Sequence, residues 1–267
     1  MQIRLFLMDI KIHKHLQRNW SSIDNKQVKR EGVDSIYSFN FRGKDSFKDF
    51  GIAVKTRPAI PIPQRRVQFE TIPGRSGTLT IDDETYDDLT ITVDCNFLSN
   101  EIKNKAIQIK HWLMGGKSKL VFSDDPDKFY IAQVVNKFDI TQTLRVLGTF
   151  PVIFNCKPFA YYFSGLETIT VTSPTIIYSP EFIVESEPVI KVYGQGDITL
   201  NINNISIKLK DVQDHIVVDS TIQECYKDNS NCNNQMWGEF PALVEENKIS
   251  WEGKVQKIEI IPNWRCL

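Results

Sequence analysis

The chain has 267 residues, 41% of them hydrophobic, and its 32 Lys and Arg stand against 33 Asp and Glu for a formal net charge of −1. That is enough apolar material for two domains of roughly 100–150 residues with real cores, and too much for a disordered chain. The near-neutral charge excludes the basic excess that free-standing nucleic-acid binders set against phosphate, and no run of about 18 apolar residues is present to span a membrane.

Residues 1–35 carry Arg4, Lys11, Lys14, Arg18, Lys26, Lys29 and Arg30 against Asp9, Asp24 and Glu31, a local excess of four positive charges. Ile3, Leu5, Leu7, Ile10 and Ile12 suit a strand or one side of a short helix, and 19–34 reads as a polar linker. The opening apolar stretch is interrupted by Arg4 and ended by Asp9. It lacks the long apolar region and small-residue cleavage site of a secretory signal, which predicts folding in the cytoplasm.

A first domain is predicted over 36–164. Tyr37, Phe39 and Phe41 alternate with Ser38 and Asn40 as a half-buried strand, Arg42 to Ser46 reads as a turn, and Phe50 to Val54 reads as the next strand. The prolines of Arg57-Pro58-Ala59-Ile60-Pro61-Ile62-Pro63 lack N–H groups, so this stretch should be an extended surface loop. Val67 and Phe69 then alternate with polar neighbours, and Pro73-Gly74-Arg75-Ser76-Gly77 is a strong turn signal. From Tyr86 to Phe97 the alternation is strict: Leu89, Ile91, Val93, Cys95 and Phe97 fall on one face, which helix cannot accommodate. One helix follows. Ser99 or Asn100 caps it, Ile102, Ala106, Ile109 and Leu113 form its apolar stripe, and Gly115-Gly116 ends it. Strands are predicted at 120–122, 129–136 and 143–156, with Pro151 implying an edge or a bulge in the last.

A second domain is predicted over 165–267. It reads as short strands at 168–171, 189–193, 198–202, 205–209, 216–218, 248–251 and 255–261. Gly194-Gln195-Gly196-Asp197 and Asn203-Asn204 read as hairpin turns. This pattern is that of a β-sandwich.

The chemistry that would mark an enzyme is missing. There is no Gly-x-Ser-x-Gly elbow, no Walker loop and no dinucleotide fingerprint. Gly74-Arg75-Ser76-Gly77 lacks the lysine and helix start of a phosphate cradle. His13 and His15 have no carboxylate or cysteine nearby to complete a metal set, and His111 and His215 suit structural roles. Asp82-Asp83-Glu84 and Asp124-Asp125-Pro126-Asp127 lie beside turns, where aspartate caps backbone groups, and neither follows the spacing of a calcium loop. Of the five cysteines, Cys95 and Cys156 sit in strand patterns, Cys225 and Cys232 are spaced as neither a zinc knuckle nor a redox pair, and Cys266 is nearly terminal. All five are predicted to be free thiols. No catalytic residue, metal or cofactor is predicted. Trp251 and Trp264 read as core, whereas Trp237 follows a polar stretch and is a candidate glycan contact.

Several stretches resemble the distal tail proteins of siphophages and related tail-like particles of Gram-positive bacteria. They are Tyr37 to Gly51, with its Gly43-Lys44-Asp45-Ser46 turn and Phe50-Gly51 step; Pro73 to Gly77 followed by Tyr86-Asp87-Asp88; Gly148-Thr149-Phe150 with Cys156 to Tyr161; and, in the second domain, Pro188 to Ile198, Ile216 to Ser220, Cys225 to Asp228, Gly238 to Pro241 and Asn247 to Trp251. Together they cover residues 36–265. Residues 1–35 precede the family's opening strand and read as an extension or arm. Pro151 stands where the family has a strand residue.

The resemblance implies a mainly β protein: a barrel-like or sandwich ring domain with one α-helix, then a galectin-like β-sandwich. It implies a structural rather than catalytic protein, at the virion tail tip after assembly in the bacterial cytoplasm. The implied partners are five further copies in a hexameric ring, the tail tube protein above, the tip or tail-associated lysin protein below, and receptor-binding or baseplate proteins on the second domain. DNA passes the lumen without being read. A ring subunit needs two dissimilar complementary faces and loops that reach a neighbour. The candidate interface residues are Arg57, Pro58, Pro61, Pro63, Arg65, Arg66, Pro73, Gly74 and Arg75, whose arginines either pair with a neighbour's carboxylates or are ordinary surface charge. The alternative function is a carbohydrate-binding module for host cell-wall glycans.

Overall fold

The computed structural model describes residues 36–97, 102–135 and 149–267, with the side chains of 102–104 excepted. The arm at 1–35, the His13/His15 pair, the helix caps Ser99 and Asn100, and the strand start at 143–148 lie outside the described residues. Tyr37–Leu267 forms one unit.

The chain is mainly β, as the sequence predicts. Its first sheet contains β1 (Phe39–Phe41), β2 (Lys44–Asp45), β3 (Ile52–Val54), β6 (Leu89–Phe97), β7 (Ser118–Phe122), β8 (Lys128–Val134) and β9 (Thr149–Tyr162), in the order β2-β1-β7-β8-β9-β6-β3. The Val54 N–H donates to the Tyr37 carbonyl at 2.9 Å, tying one end of this order to the approach to β1, so the sheet curls nearly onto itself. Leu89, Ile91, Val93 and Cys95 all point into the curl and are buried.

The helix Ile102–Leu113 lays Ala106, Ile109 and Leu113 over the same core. Its anchor is Trp112, which stacks on Phe50 and Phe39 at 4.4 and 5.6 Å and donates its indole N–H to the Phe41 carbonyl at 2.6 Å. Such a bond lets an indole be buried without an orphaned donor.

The first sheet departs from the sequence expectation at its opening strands. Arg42 to Ser46 is not one turn: the turn is Arg42-Gly43 between β1 and β2, both with positive φ. Ser46–Phe50 is then a single helical turn where a strand start was expected at Phe50. Asp45 caps it, accepting from the N–H groups of Phe47 and Lys48 at 2.9 and 2.8 Å, and left-handed Gly51 (φ 72) closes it. Pro151 makes no bulge, because β6–β9 pairing runs unbroken through Asp94↔Pro151; it lies beyond the last β8–β9 pair, Val134↔Phe154.

The second sheet is built on three long strands rather than the predicted short ones: β12 (Val189–Ile202), β13 (Ile205–Asp219) and β17 (Glu246–Ile261). Gly194 to Asp197 is not a hairpin turn. It is a bulge inside β12, where the register shifts against both β13 and β17. The reason is steric: a Cβ on Gly194 would lie 2.3 Å from the Lys254 carbonyl oxygen, and one on Gly253 (φ 105) 2.5 Å from that of Asp197. Glycine lets the backbones approach closely where the sheet coils. The Asn203-Asn204 turn is as predicted. β10 (Ile169–Val171) and β11 (Thr175–Tyr178) pair with β17; β14 (Glu224–Lys227) pairs with β13 and with β15 (Ser230–Asn231); β16 (Met236–Trp237) pairs with β13. This sheet has its own buried cluster, including Trp264, with Trp251 packed against it. The chain end returns to the first sheet, where β18 (Arg265–Cys266) pairs with Tyr161 and Ala160 of β9.

Candidate assembly interface

β4 (Arg65–Thr71) and β5 (Thr78–Tyr86) form a two-stranded sheet that, among the described residues, pairs only within itself. The turn Ile72 to Arg75 is of type II: Pro73 pre-sets its first corner, Gly74 supplies φ 80, and the Arg75 N–H returns to the Ile72 carbonyl at 3.2 Å. Cross-strand partners share a face, so Val67, Phe69, Thr80 and Asp82 lie on one side and Gln68, Glu70, Leu79 and Ile81 on the other. Both sides carry apolar residues, and both are open. Phe69 is 67% exposed, and Leu79, Ile81 and Ile72 are also exposed. Ile62, in the loop that leads into β4, is 85% exposed. A hairpin alone in water is marginal, and apolar residues exposed together mark a surface that another protein covers.

The root of the hairpin is fastened by charge. Arg65 pairs with Asp82 at 2.8 Å and Arg66 with Asp87 at 2.6 Å. The hydrogen bond from Arg65, then that from the Glu84 N–H, holds the Asp82 carboxyl below the usual range. The Asp87 N–H donates to the Gln64 carbonyl at 2.9 Å, and Tyr86 meets Phe159 of β9 edge-on at 5.6 Å. The leading loop is held at its start by Arg57, whose guanidinium lies 2.7 Å from Asp124. Tyr37 donates to the same carboxylate at 2.7 Å. Partial burial, then that hydrogen bond, raises the Tyr37 phenol well above its ordinary value.

The predicted interface residues therefore divide. Arg57, Arg65 and Arg66 are already paired within the chain. Pro58 and Pro63 are buried, Pro61 is exposed, and Pro73, Gly74 and Arg75 form the open tip. Three carboxylates of the acidic runs have partners within the chain: Asp82 accepts from the Glu84 N–H beside a register shift, and Asp124 and Asp125 hold Arg57 and Lys128. Sequence reasoning missed β5 and the apolar residues Phe69, Leu79 and Ile81 as a surface. The available signal was the alternation from Thr78 to Ile81, masked by the acidic run that follows.

Elsewhere, His111 is exposed, and His215 is buried between Asp214 (2.7 Å) and Asp228 (3.4 Å), a satisfied structural histidine. Among the described residues no group of three or more His, Cys, Asp or Glu is placed to hold a metal, and no helix is long and apolar enough to cross a membrane. Trp237 is 47% exposed, with the Lys210 ammonium over its ring at 4.6 Å.

Residues 42–156, which include the helix, most of the curled sheet and the whole hairpin, match the family described as the phage tail protein RIFT-related domain. The fold of the chain is similar to that of the Dit protein of phage SPP1, whose structure is titled a paradigm of the hub adsorption apparatus in phages infecting Gram-positive bacteria. The two share 13% identity at a TM-score of 0.63, over 86% of this chain and 98% of that one. Residues 42–156 thus match a phage tail protein domain, and the fold of the chain is similar to that of a distal tail protein. No curated protein sequence matches it.

Proposed function

We propose that the chain is the distal tail protein of a siphophage and forms a hexameric hub at the tail tip, joining the tail tube to the tip proteins. The single observation that carries this reading is the β4–β5 hairpin, which exposes apolar residues on both faces within the tail domain. A heterologous ring contact uses two different surfaces of each copy and closes by rotation. A projecting hairpin that a neighbour covers supplies one of them. In this reading residues 36–164, around the first core, make the ring, and residues 165–267, around the second, project outward. The exposed ring of Phe182, held at φ 61 and 81% exposed, and the exposed Tyr178 give that outer body a surface for receptor-binding or baseplate proteins. DNA passes the lumen without sequence readout.

Size-exclusion chromatography with light scattering, followed by negative-stain imaging alone and with tube and tip proteins, tests the reading. Six-membered rings are expected. A monomer that makes no ring with either partner overturns it.

The half-exposed indole of Trp237 favours a second reading, recognition of wall glycans. The Lys210 ammonium already occupies one ring face, which weighs against stacking on a sugar. Loss of cell-wall binding in Trp237→Ala, with the ring intact, would carry it.

A further inference from the structure

All five cysteines are free and buried, two in each core and Cys266 on β18. The strand contexts of three keep their thiols apart. On neighbouring β6 and β9, Cys95 faces Phe150 and Cys156 faces Leu89, six residues along the strand from each other's partner, or roughly 20 Å. Cys266 faces Ala160.

Cys225 and Cys232 are different. The register of the β14–β15 hairpin runs Lys227↔Ser230 and Tyr226↔Asn231. The next step brings Cys225 opposite Cys232, and the Cys232 N–H donates to the Cys225 carbonyl at 2.7 Å. This is one bond of a hydrogen-bonded antiparallel pair, whose Cα atoms lie about 5.5 Å apart with side chains on the same face; the reverse bond is replaced by the Asn233 side chain as Cys232 (ψ 24) leaves the strand. A disulfide spans Cα separations of roughly 4.4–6.8 Å, most often 5.5–6 Å. Both thiols belong to one buried cluster. The Asn233 side-chain oxygen accepts from the Cys225 N–H at 2.6 Å and helps fix that strand end.

We propose that Cys225 and Cys232 are a covalent modification site, converted by a disulfide oxidant such as oxidised glutathione into a cross-strand disulfide that ties β14 to the segment after β15. The chemistry balances. The thiolate of Cys232, the less buried of the two, attacks one glutathione sulfur and releases one glutathione thiolate. The thiolate of Cys225 then attacks the Cys232 sulfur of the mixed disulfide and releases the second. The pair loses two electrons and two protons, and one glutathione disulfide becomes two thiols. Burial pushes the Cys225 thiol up to about 12, so the second step waits on opening of the hairpin, which lies at the end of its sheet. The bond closes a short loop and fixes the hairpin beside the turn Asn233–Gln235 that leads to Trp237. The proposal rests on the register of this hairpin and not on the tail reading.

The test uses the full chain in two arms. In one, native reduced protein is incubated with oxidised glutathione. In the other, the chain is unfolded, reduced and refolded in a glutathione buffer, so that burial cannot hide the thiols. Both are expected to lower the titratable thiols from five to three. Trypsin should then release peptides 211–227 and 228–248 joined to each other, two mass units below their reduced sum. The oxidised protein should melt roughly 5–10 °C higher, and the gain should vanish on reduction. Cys225→Ser should stop at a glutathione adduct on Cys232. Refolded protein that keeps five thiols, or that links other cysteines instead, overturns the proposal.

Discussion

Replacing Phe69 by Thr removes the largest exposed apolar side chain of the β4–β5 hairpin. It places a β-branched residue, which suits a strand, opposite Thr80, so the main-chain pairing stays in place. Burying a Phe side chain fully is worth about 1.5–3 kcal/mol. With 67% of Phe69 open to solvent, about two-thirds of that, or about 1–2 kcal/mol, is available to a covering neighbour. The expected result is a fall of roughly 5–30-fold in the association constant at each contact between copies. The isolated subunit should be almost unaffected, within about 0.5 kcal/mol, since surface changes away from the core rarely exceed that. Light scattering across a concentration series reads the first quantity and thermal unfolding of the dissociated chain the second. Ile81→Thr repeats the test on the opposite face, so the stronger effect identifies the face that docks. A large drop in subunit stability with unchanged assembly would refute the reasoning, because the hairpin would then be serving its own chain.

Three other outcomes follow from the same geometry. Trp112→Phe removes the 2.6 Å bond to the Phe41 carbonyl inside the core, and should cost about 1–3 kcal/mol in denaturant unfolding, with ring stacking largely retained. Gly253→Ala places a Cβ at φ 105 against the Asp197 carbonyl oxygen, and should cost about 1–3 kcal/mol in the same assay, whereas Gly74→Ala has open space and only the backbone penalty to meet. Burial raises the thiols of Cys95, Cys156 and Cys225 and the phenol of Tyr130 to about 12. The unfolded chain sheds these protons near pH 9–10 while the folded one keeps them, so this stability is complete below about pH 9 and is lost as pH rises toward 12. Melting temperatures measured from pH 7 to 11 should fall across the upper part of that range.

The parts of the fold that the sequence makes legible are those in which the local pattern and the tertiary environment agree. Leu89 to Phe97 alternates because one face is buried and the other is not, and the helix stripe through Ala106, Ile109 and Leu113 faces a single core. The misreadings fall where a local signal has two physical meanings. Gly194 and Gly196 announce a departure from regular strand, but a hairpin turn and a bulge in a coiled strand both need glycine, and only the approach of Lys254 and Asp197 from the neighbouring strand decides between them. Asp45 followed by Ser46 reads as a turn or as a helix cap, and the helix it caps is too short to show an apolar period. At the candidate interface the turn Pro73-Gly74 was legible and the surface around it was not. Alternation at Val67–Phe69 and Leu79–Ile81 reads as a half-buried strand, and the local pattern does not show that these residues stay exposed in the folded chain.

The contrast between the hairpin and the rest of the molecule bears on how such a subunit can be both stable and ready to assemble. Each of the two large sheets buries its apolar face inside the chain, around Trp112 in one and Trp264 in the other, so neither needs a partner to fold. The hairpin does not do the same, because its two strands have apolar residues on opposite sides and, among the described residues, nothing is paired to either edge. Its conformation before assembly is preserved instead by Arg65–Asp82, Arg66–Asp87 and the rigid Pro73-Gly74 tip, contacts that are exposed and individually weak. Such contacts hold a shape without consuming apolar surface. If a neighbour covers it, as proposed, the hairpin would arrive already extended, with its ordering entropy largely spent and its hydrophobic contribution still to be made, which is the condition under which a protruding segment adds most to association.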